Sequence, residues 1–305
     1  MGKRVGIALM VLGLALAGVI AWRAWQRREP EPVYKGKPLS SWLIALRTSA
    51  FSSEAQEQAK AAVQQAGTNA IPTLLRMLRA KDSSFKLKLL ALLKRQHIIR
   101  INYSPAADWN WVAEFGFYAL GTNGQSAEPS LLEIANQNIS PTSHGDAIFS
   151  LGSIGPLAKE SVPSLFQWAT NANGVVRLAA ILSLDKILAG PDRVHLLTNA
   201  VHDSDAGVRY LSVEALGQLG VEGKFADPAL VVPLLMNAVH DSDAGVRYYA
   251  IKALEKFGQD AELAVPALVL SLNDPDWEVR GYATNALKAI DPEAAAKAGI
   301  TNSAR

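Results

Sequence analysis

A fifteen-residue segment that occurs twice places the strongest limit on how this chain can fold. LLTNAVHDSDAGVRY at 196–210 returns as LLMNAVHDSDAGVRY at 234–248, with fourteen identities in fifteen positions and a spacing of 38 residues. Looser copies extend the series on both sides, and successive arginines of the pattern lie 32, 38 and 33 residues apart. These are Arg177, Arg209, Arg247 and Arg280. Repetition at such spacings predicts a chain of stacked similar units.

Each unit reads as two helices joined by a short turn, and no segment has the pattern of a strand. The first helix is apolar and carries a proline in its first turn, where the missing amide would have no partner. These prolines are Pro72, Pro129, Pro163, Pro233 and Pro266, and His195 takes the position in the remaining unit. The second helix reads V-R-x-x-[AS]-x-x-A-L or close to it. The sequence therefore predicts an all-α protein.

Polar and glycine residues mark the two ends of the second helices. Side chains that can cap a helix N-terminus precede these helices, at Asn173, Asp205, Asp243 and Asp276. Gly217, Gly220 and Gly258 are predicted to end such helices in the left-handed conformation.

This pattern resembles the HEAT-repeat family, in particular the short bacterial HEAT-like units also found in phycobilisome lyase subunits. The resemblance covers residues 39–291 and implies an α-solenoid of about seven stacked helix pairs. It also implies a ladder of turn aspartates and helix arginines between neighbouring repeats, matching Asp203/Arg209, Asp241/Arg247 and Asp274/Arg280. Arg177 departs from the pattern because Asn171 stands where the acid should be, and a weaker rung is expected there.

The N-terminus predicts a membrane anchor within residues 1–28. Eighteen consecutive residues without a charge, 5–22, are just long enough for a transmembrane helix, and basic residues and tryptophans flank them. A cleaved signal peptide is the alternative, since Ala15-Leu16-Ala17 has small-x-small spacing. We expect a single-pass anchor, a linker at 29–38 and an extracytoplasmic body, with a tail at 292–305.

An inserted segment interrupts the repeats at about 81–106. Pro72 and Pro129 lie 57 residues apart, where neighbouring units take 32 to 38. The insertion is basic and apolar and predicts an additional helix, and six aromatic residues follow within sixteen positions, from Tyr103 to Tyr118. We expect a partner to contact Lys86, Lys88, Lys94, Arg95, Arg100, Trp109 and Trp111. The alternatives are a helix that only fills a gap between repeats, or one that lies on anionic lipid.

Composition excludes several kinds of chemistry. The chain has no cysteine, and its five histidines are scattered, so we expect neither a metal nor a cofactor. The repeated His-Asp-Ser-Asp turn, at 202–205 and 240–243, needs an aspartate cap in any case, and duplication explains its two copies. There is no phosphate-binding loop ending in Lys-Ser or Lys-Thr, no G-x-S-x-G and no H-E-x-x-H.

Charge is divided unevenly along the chain. Residues 29–105 carry a net charge of +7 and residues 106–305 carry −10. The long acidic part would repel a polyanion, so nucleic acid is not an expected partner. The sequence as a whole predicts a membrane-tethered, non-enzymatic scaffold that binds another protein. An accessory enzyme of the HEAT-like lyase type, with a small ligand in the solenoid groove, is the alternative.

Overall fold

The computed structural model describes residues 30–48, 53–95, 103–222 and 227–300. It divides into two compact units, one up to Thr73 and one from Leu74 onwards. The predicted anchor at 5–22 and Arg100 lie outside the described residues. Within the described ranges, no helix combines the length and the apolar character needed to cross a membrane.

The first unit opens with a β-hairpin that the sequence did not predict. Strands β1 (Val33–Tyr34) and β2 (Lys37–Pro38) pair antiparallel across a two-residue turn. Lys35 and Gly36 both have positive φ, 45° and 75°, as a tight hairpin turn requires. The expectation of no strand is therefore wrong here, because a turn of this type needs only two residues per strand to close.

Two helices follow the hairpin, α1 (Leu39–Thr48) and α2 (Ser53–Ala66). Trp42 of α1 donates its indole N–H to the carbonyl of Tyr34 at 2.9 Å, and the two rings meet edge to face at 5.6 Å. The predicted linker at 29–38 thus contains a hairpin that packs against α1.

The second unit consists of successive α-helices. In chain order the helices are α3 (Ile71–Leu78, which starts just before the unit boundary), α4 (Ser84–Arg95), α5 (Ala106–Leu120), α6 (Glu128–Gln137), α7 (Pro141–Ile154), α8 (Val162–Trp168), α9 (Gly174–Ile187), α10 (Gly190–Ala200), α11 (Ala206–Glu222), α12 (Pro228–Ala238), α13 (Ala244–Phe257), α14 (Val265–Ser271), α15 (Trp277–Ile290) and α16 (Pro292–Lys297). Helix α4 is the predicted inserted helix.

Most helices of the second unit form pairs, and successive pairs pack against each other. From α6 to α15 the even-numbered helices are the first members of pairs and the odd-numbered ones the second members, and the members of each pair contact each other. Second helices also contact the next second helix along the series α5, α7, α9, α11, α13 and α15. Aliphatic residues such as Leu216, Leu235 and Leu254 fill the space between them and are fully buried. Each pair therefore depends on its neighbours for its core, as stacked repeats do.

The helix starts agree with the sequence in most units and differ in two. Pro129, Pro163 and Pro266 lie in the first turn as predicted. Helix α12, however, begins at Pro228, where the Asp227 carboxylate accepts the amide of Ala229, so Pro233 lies inside the helix. Helix α10 similarly begins with Pro191 as its second residue, well before His195. The predicted positions of Pro233 and His195 are wrong because each helix starts at an earlier proline.

Two of the three predicted terminal glycines have another role. Gly258 has φ +57° and ends α13 as expected. Gly217 and Gly220 lie inside α11. A Cβ added at Gly217 would lie 2.6 Å from Ala253, and one added at Gly220 would lie 2.7 Å from the Phe257 ring. These glycines allow α11 and α13 to approach each other closely, and their predicted left-handed conformation is wrong.

Candidate functional site

An arginine ladder runs along the second helices. Arg177, Arg209 and Arg247 each donate two parallel hydrogen bonds, from Nε and Nη2, to one carboxylate. The partners are Asp203 (2.9 and 2.6 Å), Asp241 (2.8 and 2.8 Å) and Asp274 (2.8 and 2.9 Å). Each arginine also donates Nη1 to backbone carbonyls in the turn of its own repeat, as Arg209 does to Asp203 at 2.9 Å. One guanidinium therefore joins two consecutive repeats.

The pairing is shifted by one repeat from the pairs that the family resemblance implied. Arg209 bonds the side chain of Asp241 in the next repeat and only the backbone of Asp203 in its own. The rung expected to be weak, Arg177, has a complete carboxylate partner in Asp203, so that expectation is wrong. The asparagine at position 171 does not weaken this rung, because the carboxylate comes from Asp203 in the turn of the next repeat.

The turn geometry explains why aspartate fits these positions. Oδ1 of Asp203 also accepts the backbone N–H of Asp205 at 2.8 Å, and the same bond recurs from Asp243 to Asp241 and from Asp276 to Asp274. Two residues later in each turn, the predicted caps Asn173, Asp205, Asp243 and Asp276 accept the first amides of the second helices. The backbone of the turn thus orients one carboxylate toward the arginine of the preceding repeat.

Charge stabilises the ionised form of each ladder aspartate. The hydrogen bonds from Arg177 hold the pKa of Asp203 below its usual value, and Arg209 and Arg247 do the same for Asp241 and Asp274. The side chains of the Arg247 and Asp274 pair are only 13% and 10% exposed. Pairs as shielded as these contribute more to stability than ion pairs on an open surface.

Two residues other than arginine occupy the ladder position in the earlier repeats, and sequence reasoning missed both. Asn110 on α5 donates Nδ2 to the carbonyls of Met77 and Leu78, both at 2.9 Å, and accepts a bond from Thr142 at 2.8 Å. On α7 the corresponding contact is from His144 Nδ1 to the carbonyl of Ala135 at 2.6 Å. Both side chains lie ten residues before the end of their helices, as Arg247 does, and in the sequence only that spacing could have revealed them.

The inserted helix α4 carries four of the seven predicted partner-binding residues. Lys88 is exposed, whereas Lys86 Nζ lies 2.9 Å from the Asp82 carboxylate and 4.6 Å from the centre of the Tyr103 ring. Lys94 and Arg95 lie at the end of the helix, and their side chains lie outside the described part of the chain. Phe85 and Leu87 of α4 are 76% and 49% exposed.

Asp82 connects the start of α4 to the start of α5. Its carboxylate accepts the Ala106 amide at 2.9 Å and further bonds from Tyr103 Oη and Lys86 Nζ. Partial burial would raise the pKa of Asp82, but these donors together hold it below its usual value. Trp109 and Trp111 follow in the first turns of α5 and are half-buried. Six of the seven predicted residues therefore lie on two consecutive helices whose starts are linked through Asp82, with Lys86 already paired, while Arg100 lies outside the described residues.

Four tyrosines form a ribbon across three consecutive second helices. Tyr210 of α11 stacks on Tyr249 of α13 at 5.2 Å, Tyr249 meets Tyr248 at 4.7 Å, and Tyr248 meets Tyr282 of α15 at 4.4 Å. A hydrogen bond with Tyr282, together with partial burial, raises the pKa of Tyr248 to about 12. The Lys252 ammonium lies 5.9 and 5.7 Å from the ring centres of Tyr248 and Tyr249.

A groove of about 480 Å³ opens between α7 and α9. Asp146 and Phe149 of α7 line one side, and Asn173 lines the other. Burial, and then the nearby Glu114 carboxyl, raise the pKa of Asp146 to about 7. Burial likewise raises the pKa of Glu114. The groove therefore presents a carboxyl that changes its charge near neutral pH.

No group of three or more His, Asp or Glu side chains in the described ranges lies close enough to hold a metal ion. The His-Asp-Ser-Asp turns use both aspartates within the fold. In the second copy, Asp241 holds Arg209, and Asp243 caps α13.

The family comparison gives a match in the part of the chain where the ladder lies. A family model described as HEAT repeats matches residues 128–217 and 194–288, which together make up more than half of the chain. No curated protein gives a significant match to the chain.

Several solved structures are similar in backbone. An engineered protein is 17% identical, with 83% of this chain and 96% of that chain covered and a TM-score of 0.44. A designed armadillo repeat protein in complex with the peptide (KR)4 is 15% identical, with 72% and 99% covered and a TM-score of 0.44. A chain from a structure of Kap95p with RanGDP is 15% identical, with 85% and 39% covered and a TM-score of 0.45.

Proposed function

The chain belongs to the HEAT-repeat family, and we propose that it is a non-enzymatic scaffold that binds another protein. Stacked helix pairs present long surfaces on which extended partner segments can lie. The ladder residues support this role indirectly, because they bind one repeat to the next and so hold the stacked surface in a fixed arrangement.

The observation that carries the proposal is the exposed apolar surface of α4. Phe85 is 76% exposed and Leu87 49%, and the exposed Lys88 follows directly in the chain. Exposed aromatic and aliphatic side chains close to basic ones are typical of protein interfaces. The inserted helix is therefore the proposed contact, with Lys88, Lys94, Arg95 and Arg100 supplying charge and Trp109 and Trp111 adjoining it.

The chemistry of this contact favours a partner with an acidic surface. Lys86 is neutralised by Asp82 and contributes mainly to holding α4 in place. The remaining basic residues would attract carboxylates over distances of about 8–10 Å at physiological salt.

Membrane attachment is the second part of the proposal, and it rests on the sequence of residues 5–22. We expect the repeats to lie on the extracytoplasmic side. A single introduced cysteine, Lys159→Cys, tests this orientation, since the chain has no other cysteine and Lys159 is exposed. A membrane-impermeant maleimide should label this cysteine in intact cells if the repeats lie on the extracytoplasmic side. Labelling only after permeabilisation would place the body in the cytoplasm.

Charge reversal on the inserted helix tests the partner site. A full-chain variant with four charge reversals should no longer capture the partner, as measured by crosslinking in cells. The four reversals are Lys88→Glu, Lys94→Glu, Arg95→Glu and Arg100→Glu. A control with reversals at the exposed Lys60 and Lys159 should retain capture. Unchanged capture by the first variant would show that the site is assigned wrongly, while the scaffold role would remain open.

The groove beside Asp146 favours a second candidate, an accessory enzyme that handles a small ligand. Its size suits a small molecule, and a carboxyl with a pKa of about 7 could exchange a proton. Native mass spectrometry of the purified full chain tests this candidate. A stoichiometric small molecule that is lost with Phe149→Ala would support it, and an unliganded mass would favour the scaffold.

A further inference from the structure

The arginine ladder has an open rung at its C-terminal end. Arg280 is anchored as the earlier arginines are, with Nη1 donating to the carbonyls of Asp274 at 2.7 Å and Pro275 at 3.0 Å. Among the described residues, its Nε and Nη2 have no carboxylate partner, and the side chain is exposed. The same two atoms of Arg247 hold Asp274 at 2.8 and 2.9 Å.

The last helix closes the core without completing this rung. Helix α16 packs against α15, and its Ala295 is 2% exposed. Its acidic residues are used locally: Asp291 caps the helix, and Glu293 pairs with Lys297 at 2.8 Å. The position that a turn aspartate takes in the earlier repeats therefore has no occupant within the described part of the chain.

An exposed tryptophan adjoins the open rung. Trp277 is 71% exposed and lies three residues before Arg280 on α15, so both side chains are on the same face of the helix. Small residues stand at this position in the other ladder repeats, namely Gly174, Ala206 and Ala244. Tryptophan and arginine are the residues that most often dominate the affinity of protein interfaces.

We propose that Arg280 and Trp277 form a binding site for a carboxylate carried by an exposed turn of a partner protein. Three equivalent arginines in this chain already hold such a carboxylate, so the occupant follows from the fold itself. Nη1 fixes the guanidinium, and its Nε and Nη2 edge is left to receive two parallel bonds, a geometry specific for carboxylates. The site rests on the proposed scaffold role and lies on a different helix from the α4 contact.

Protection of Arg280 from chemical modification tests the site in the full chain. The probe is the blocked peptide His-Asp-Ser-Asp-Ala-Gly, the turn that this chain presents to Arg209 at residues 240–245. Phenylglyoxal should modify Arg280 faster than Arg209 or Arg247, and saturating peptide should slow modification of Arg280 about threefold or more. Modified sites are read by peptide mass spectrometry.

Two controls separate a built site from general charge attraction. A peptide with Asn in place of its first Asp should not protect Arg280. Saturation-transfer NMR signals of the original peptide should disappear with Arg280→Lys, which keeps the charge but cannot form two parallel bonds. Equal protection by both peptides, no protection, or undiminished binding by Arg280→Lys would overturn the proposal. The α4 proposal is measured separately, by partner capture with α4 variants.

Discussion

The guanidinium of Arg177 holds the carboxylate of Asp203, 26 positions further along the chain, through bonds of 2.9 and 2.6 Å. This contact joins the second helix of one repeat to the turn of the next. It recurs from Arg209 to Asp241 and from Arg247 to Asp274. Side-chain pairing between repeats thus complements the aliphatic core that the repeats share.

Removing one rung should destabilise the protein measurably. Arg247→Ala leaves the largely buried Asp274 carboxylate without its charged partner, so we expect the free energy of unfolding to fall by about 1–3 kcal/mol. Arg280→Ala is the matched control, since its rung holds no carboxylate among the described residues, and it should change stability by less than about 0.5 kcal/mol. Chemical denaturation compares the two, and equal losses would contradict the ladder's role.

The ladder also predicts a loss of stability in acid. The folded pKa values of Asp203, Asp241 and Asp274 are lowered, while the pKa of an unfolded aspartate is about 3.9. Their stabilisation is therefore complete above about pH 4 and is lost as the pH falls through the lowered values. Asp241→Asn should make the acid dependence of unfolding shallower, as followed by circular dichroism. An unchanged slope would show that this rung does not contribute.

Asp146 predicts a pH dependence of opposite sign. Its folded pKa of about 7 lies above the unfolded value of about 3.9, so the folded state favours the neutral form and stability declines as the pH rises between these values. Asp146→Asn should therefore stabilise the protein more at pH 8 than at pH 5, as measured by thermal unfolding. Glu114→Gln should weaken the dependence by removing a neighbouring charge. A stabilisation independent of pH would contradict the assignment.

Two helical glycines offer a matched test of packing. A Cβ at Gly217 would lie 2.6 Å from the Cβ of Ala253 and 2.8 Å from its Cα, so Gly217→Ala must push α11 and α13 apart and should cost about 1–3 kcal/mol. Gly281→Ala, on α15, meets nothing within 4 Å and should stabilise by about 0.5–1 kcal/mol. Denaturation midpoints that move in the same direction would contradict this packing.

Local features of the repeats could be predicted from sequence because they depend on neighbouring residues. The caps Asp205, Asp243 and Asp276 act within two or three residues of their own positions. The starts of α10 and α12 could not be predicted in the same way, because each has two candidate positions and the repeat pattern does not decide between them. The candidates are Pro191 and His195 in α10, and Pro228 and Pro233 in α12.

The partners within the ladder needed the three-dimensional stacking. Arg209 has an aspartate six positions before it and another 32 positions after it, and spacing alone cannot show which carboxylate its side chain reaches. The roles of Asn110 and His144 were hidden for a related reason. They share the arginines' place in the helix but not their chemistry, and their contacts with backbone carbonyls establish the equivalence that the spacing alone only suggests.

The scaffold role is tested most directly by crosslinking the full-length protein in its own cells and identifying the joined residues by mass spectrometry. We predict one protein partner joined reproducibly to residues 86–111 or to second helices between 177 and 290, with joins near 86–111 lost when the basic residues of α4 are reversed. Capture of lipid or a small molecule alone, with no protein joined to these regions, would contradict the account.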